Sequence, residues 1–190
     1  MPDDTADKER NEKVYGWVRG RLGTRVGKGE CWDLADGALR EAGAHSSTTT
    51  GKKDDYVWGR RVEVSAVMRG DILQFRNYTV KKTVATKITY ADGGTETRDE
   101  TSSMTRGHHT AIVAANNGAK GLEIFEQNAP EGSPVTQGTL YIKKGVLSTE
   151  TTQRSVLRDD GKRVLATIVK TTTVQVTGWV RAYRPQAGKK

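Results

Sequence analysis

The sequence predicts an α+β fold on three observations. Two segments with apolar residues at three- and four-residue steps come first. The period then changes to two, and the extended segments follow one another closely, as meander connections between antiparallel strands require. Finally, 190 residues suit one domain, here the whole chain 1–190, with a core of its own. Only 34% of the chain is apolar and 28% is charged, so part of it is expected to lie outside that core.

Residues 1–9 are strongly charged and read as a flexible, solvated tail. From Arg10 to Leu22, the residues Val14, Trp17, Val18 and Leu22 form one face of an amphipathic helix, and Gly23 is its stop signal. A second helix is expected from Cys31 to Ala42. Its buried stripe is Leu34, Ala35, Ala38, Leu39 and Ala42, and Gly43 ends it. The polar run His45 to Asp55 reads as a loop. Tyr56–Trp58 and Val62–Val64 are short extended pieces, and the turn Gly70-Asp71 admits a strand that ends at Phe75.

Two polar hairpins follow the same recipe. The first spans 79–104 with its turn at Asp92-Gly93-Gly94, and the second spans 148–176 with Asp159-Asp160-Gly161 at its tip. Their arms are rich in Thr, Lys and Val, so each is expected to be a largely wet two-stranded extension. Between them lie His109–Val113, Leu122–Asn128 and Leu140–Ile142. A closing strand runs from Val174 to Tyr183.

Cys31 is the chain's one cysteine, and it sits where the second helix begins. There the backbone N–H groups and the helix dipole favour a thiolate. Gly27-Lys28-Gly29 reads as a flexible approach that leaves the front of the thiol open. A lone cysteine also packs well as a small apolar residue. What favours chemistry is the later strands. His109 starts one of them, and Glu126 and Asn128 share a face of the next because side chains alternate. An imidazole that takes the thiol proton, held by a third polar group, is what a thiol nucleophile needs. His108 neighbours His109 and points to the opposite face.

The strings GDILQF (70–75), GHHTAIV (107–113), FEQNAP (125–130) and GWVRAYRP (178–185) occur in that order. Together with the helix-borne Cys31 they resemble the CHAP family of cysteine amidases and endopeptidases, relatives of the NlpC-type enzymes in the papain-like superfamily. The resemblance covers about 27–75, 107–142 and 178–185, and it treats the hairpins as insertions. It implies helices packed on a small curved antiparallel sheet and hydrolysis of amide bonds in peptidoglycan. It implies Cys31 as nucleophile and His109, rather than His108, as base. Either Glu126 or Asn128 then orients the imidazole. No metal or cofactor is needed, and no Asp cluster at calcium-ligand spacing lies near Cys31.

A formal charge of +8 implies affinity for anionic polymers. The charge is spread without a Lys/Arg run, which disfavours nucleic acid. No apolar run is long enough for a membrane span, and the N-terminus lacks a signal-peptide core. The expected location is cytoplasmic, or outside the cell by a non-classical secretion route. The alternative to a cell-wall peptidase is a catalytically silent module on the same fold. Such a module would recognise a protein or glycan partner through its hairpins.

Overall fold

The structure is a computed structural model that describes residues 4–50 and 55–188. Two α-helices, α1 (Asp4–Arg19) and α2 (Cys31–Glu41), precede the strands. These are β1 (Thr48–Thr50), β2 (Asp55–Val57), β3 (Arg60–Val62), β4 (Ile72–Tyr90), β5 (Thr95–Asn116), β6 (Leu122–Glu126), β7 (Thr136–Leu140), β8 (Gly145–Leu157) and β9 (Arg163–Arg184). Strands β1 and β2 pair on their own. The others form one large sheet in the order β3-β9-β4-β5-β6-β7, with β8 joined to β9.

The expected small sheet under packed helices is therefore corrected. Strand takes 53% of the described residues and helix 18%, and the large sheet is mostly antiparallel. The period of two did mark the strands. What it could not give was their continuity. The strand expected to stop at Phe75 runs on as β4 to Tyr90, and the closing strand is the end of β9.

The chain forms two compact units. The first comprises 1–78, 105–142 and 177–190, and the second 79–104 and 143–176. In the first unit the helices cover the sheet. Val14 and Val18 of α1 and Leu34, Ala35, Ala38 and Leu39 of α2 are fully buried against Ile72, Ile112, Phe125 and Tyr183. Fully burying a leucine such as Leu34 is worth about 2 kcal/mol. The α2 stripe matches its expected positions. The α1 stripe does not extend to Leu22, which lies beyond the helix and is 40% exposed.

The tail expected over residues 1–9 is also corrected, because α1 already begins at Asp4; residues 1–3 lie outside the described residues. Asp7 explains why charged residues fold here. Its carboxylate accepts from Arg10 one turn on and from Arg60 of β3, each at 3.0 Å. The loop expected at 45–55 contains β1, and residues 51–54 lie outside the described residues. The strand expected at 140–142 lies earlier, as β7.

In the second unit the two hairpins are not separate ribbons. Strand β9 lies next to β4, so the four arms run β5-β4-β9-β8. The Ala91 N–H donates to the Leu165 carbonyl at 2.9 Å, and Arg158 pairs with Asp92 and lies over the Tyr90 ring. An isolated two-stranded hairpin is marginal in water. Joining the hairpins buries Val80, Tyr90, Ala166 and Ile168 within this unit.

Candidate active site

The site begins with the loop in front of α2. Gly27 and Gly29 have positive φ, +58° and +98°. A Cβ on Gly27 would meet the Asp33 carboxyl carbon at 2.7 Å. That close approach lets Asp33 Oδ2 accept from the N–H groups of Lys28, at 2.8 Å, and Glu30, at 3.1 Å. From the other side comes Gln127, which is fully buried. Its Oε1 accepts from Val26 N–H at 2.7 Å, and its Nε2 donates to the carbonyls of Val26 at 3.0 Å and Glu30 at 2.9 Å. The loop expected to be flexible is thus tied at both ends by side-chain hydrogen bonds. Helix α2 then starts at Cys31, as expected.

His109 arrives on β5 and is 5% exposed, whereas His108 is exposed and stacks on Tyr56 with ring centroids 5.4 Å apart. The His109 Nε2 donates to Glu126 Oε2 at 3.0 Å, and its other face rests near Phe75. The imidazole also hydrogen-bonds the Cys31 side chain. With Nε2 engaged by Glu126, Nδ1 is the nitrogen left for the sulfur. Glu126 closes β6 and accepts a bidentate pair from Arg106, at 2.9 and 2.7 Å. Cys31, His109, Glu126 and Arg106 therefore form one continuous chain.

The electrostatics follow from that chain. Burial alone pushes the Cys31 thiol up. The hydrogen bond and charge of His109, with a backbone hydrogen bond from Thr110, outweigh burial and hold it below the ordinary thiol value. Burial also opposes the charged form of His109, but its bonds to Cys31 and Glu126 raise it above the usual imidazole value. Glu126 loses solvation on burial, yet His109 and Arg106 keep it below the usual carboxylate range. All three directions favour thiolate, imidazolium and carboxylate.

Of the four site residues expected from sequence, three meet. Asn128 does not, and this corrects its pairing with Glu126 at the imidazole. Strand β6 ends at Glu126, so alternation does not extend to residue 128. Asn128 lies in the left-handed region with φ 63°. It accepts from Gly132 N–H at 2.6 Å and donates to the Glu30 carboxylate at 3.1 Å. Its work is to shape the 128–133 turn beside the loop of Cys31.

Arg106 and Gln127 are the site residues that sequence reasoning missed. Alternation puts Arg106, three residues before His109, on the opposite strand face, so spacing hides it. Gln127 lies inside the FEQNAP string, but alternation turns it to the face opposite Glu126, which hides its role. Trp58 and Trp32 have structural roles. Trp58 is fully buried and donates to Gln74 Oε1 at 3.0 Å, and Trp32 donates to Ser47 Oγ at 2.8 Å. Among the described residues no group of three or more His, Cys, Asp or Glu side chains could hold a metal ion. Among them, too, no helix is long and apolar enough to cross a membrane.

Residues 4–144 match the family described as the AIM3/BBC1 cysteine proteinase-fold domain. The span includes Cys31, Arg106, His109 and Glu126. A curated relative, "Altered inheritance of mitochondria protein 3" of the yeast Debaryomyces hansenii, is 32% identical over 132 residues. The aligned part is 62% of this chain and 13% of that protein. No solved structure matches the chain. The family match supports the cysteine-proteinase fold expected from the motifs, but not the narrower CHAP or NlpC assignment. The chain belongs to the AIM3/BBC1 cysteine proteinase-fold domain family.

Proposed function

We propose that this AIM3/BBC1-family domain is a thiol-dependent hydrolase of amide bonds. The observation that carries the proposal is one imidazole, His109, bonded to Cys31 on one side and to Glu126 on the other. The Cys31 thiolate attacks the substrate carbonyl, forming a C–S bond and a tetrahedral oxyanion. The Cys31 N–H, at the start of α2, has no intrahelical acceptor, so it is the natural donor to that oxyanion. The C–N bond breaks as His109 gives its proton to the leaving amine. Water then gives a proton back to His109 and attacks the thioester, and the thiolate leaves with the acid product. Glu126 fixes the tautomer and stabilises the imidazolium throughout.

The substrate class is a peptide or isopeptide amide. Peptidoglycan peptides, which the CHAP resemblance implies, are one arm of the test, because the family and the yeast relative bear no wall-hydrolase name. Wild type, Cys31→Ala and His109→Ala are incubated with a peptide library, isopeptide-linked peptides and peptidoglycan fragments, and the products read by mass spectrometry. Turnover by wild type that falls roughly 10⁴-fold in either variant is expected. Equal product from wild type and Cys31→Ala sinks the proposal.

A silent binding module is the second reading. Among the described residues it is favoured by four of the five exposed large apolar side chains, Met104, Val146, Leu157 and Leu165, all of them in the second unit. A reactive Cys31 with no turnover on any arm selects it.

A further inference from the structure

We propose that Arg106 is a positioning residue that sets the charge balance of the site: it fixes Glu126 as a carboxylate and cancels the negative charge that Glu126 would otherwise add behind His109. The meaning of this role for catalysis rests on the hydrolase reading above. The test does not, because it needs no turnover.

The geometry supports a charge role in two ways. The Arg106 and Glu126 side chains are only 12% and 6% exposed, so water screens their pairing little. The fork is complete, with Nε on Oε2 at 2.9 Å and an Nη on Oε1 at 2.7 Å, while His109 Nε2 donates a further bond to Oε2. In the thiolate–imidazolium state the four charges of Arg106, Glu126, His109 and Cys31 sum to zero. Without Arg106 the same buried cluster carries a net negative charge, which favours holding an extra proton.

The other groups facing Glu126 do not supply that balance. Strand β4 brings Tyr78, whose hydroxyl donates to the Tyr141 carbonyl at 2.8 Å and whose phenol is pushed up to about 12 by burial, so it stays neutral. Strand β7 presents Thr136 in register with Glu126, without charge. Helix α2 brings Cys31 through His109, and β5 brings His109 and Arg106. Within this set Arg106 supplies the guanidinium charge that is paired with Glu126.

The rate of Cys31 alkylation by iodoacetamide, followed against pH by intact-mass spectrometry, reads the thiolate directly. The proteins compared are wild type, Arg106→Gln, Arg106→Lys, Glu126→Gln and the double variant R106Q/E126Q, each checked for folding by circular dichroism at every pH. Arg106→Gln is expected to move the lower inflection of the profile up by about one pH unit. Arg106→Lys keeps the charge but loses the fork, and is expected to leave the inflection in place. Relative to Glu126→Gln, the double variant is expected to move the inflection up, because the Arg106 charge then leaves the cluster as well.

An unmoved inflection in Arg106→Gln overturns the proposal. So does an Arg106→Lys profile displaced as far as Arg106→Gln, which would make the fork and not the charge the cause. If Arg106→Gln alone does not fold, the comparison of Glu126→Gln with the double variant decides, and identical profiles for those two overturn the proposal. Shifted profiles without amide turnover remove the hydrolase assignment and leave the Arg106 role intact; turnover with unshifted profiles does the reverse.

Discussion

Protonation of Cys31 and His109 sets the pH window of the site. The thiol is held below its ordinary value and the imidazole above its own, so both shifts favour the thiolate–imidazolium pair. Alkylation of wild-type Cys31 is therefore expected well below the roughly 8.5 of a free thiol, and an ordinary thiol profile would contradict this pairing. The same groups shape stability. Glu126 has a depressed folded value, so its contribution is present above the unfolded carboxylate value and lost as pH falls through the folded one. His109 has a raised folded value, so its contribution is present below the unfolded imidazole value and lost as pH rises through the folded one. Urea midpoints measured across pH are expected to fall on both sides, and Glu126→Gln is expected to flatten the acid side. Gln127 acts on the backbone. Gln127→Ala leaves Val26 N–H and the carbonyls of Val26 and Glu30 without their partner. A stability loss of about 1–3 kcal/mol is expected by urea unfolding, with a roughly 10²-fold fall in kcat/KM as the loop shifts the nucleophile.

Among the elements, α2 was the most legible in sequence and β4 the least. The α2 stripe, its start at Cys31 and the glycine after it are all local signals, and helix periodicity needs no partner to be read. Its contact with α1 is less obvious. Gly37 faces Trp17 so closely that an added Cβ would lie 2.6 Å from the indole Cη2. Gly37→Val is expected to push the helices apart and cost about 1–3 kcal/mol, measured as a lower thermal midpoint; an unchanged midpoint would mean that Trp17 yields freely. Strand β4 was cut short at Phe75 because the residues after it change from apolar to Thr and Lys. That change marks where β4 passes from the first unit's segment to the second's, not where the strand ends. Strand β6 was read too long for the opposite reason: Gln127 and Asn128 continue the alternation on paper, while the backbone turns into the left-handed region.

At the scale of the whole molecule, the first unit is pinned by a buried charge. Asp71 is fully buried at the head of β4. It accepts from Arg184 at the end of β9, at 3.1 and 3.0 Å, from Asn11 of α1 at 2.8 Å and from Met68 N–H at 2.9 Å. One carboxylate thereby joins the first helix, the first long strand and the last strand. Asp71→Ala leaves Arg184 buried without its charge partner and is expected to cost about 3–5 kcal/mol in urea unfolding. The double variant D71A/R184M is expected to recover part of that loss. A single variant within 1 kcal/mol of wild type, judged against that about 3–5 kcal/mol cost, would show that water reaches the guanidinium.

The sequence by itself marked α2, most of the strands and three residues of the candidate site. Each is written in a local pattern: a 3.6-residue stripe, an alternation, a thiol at a helix start, a carboxylate on a strand. Tertiary structure alone decided which strands pair and which side chains complete the site. The hairpins join because their inner arms bury apolar faces against each other, although they lie far apart in the chain. Arg106 reaches Glu126 against the strand alternation, and Gln127 reaches a loop a hundred residues earlier, at separations of 20 and 101 or 97 positions. Such partners are set by where the sheet brings the backbone, and no period or motif in one dimension encodes that.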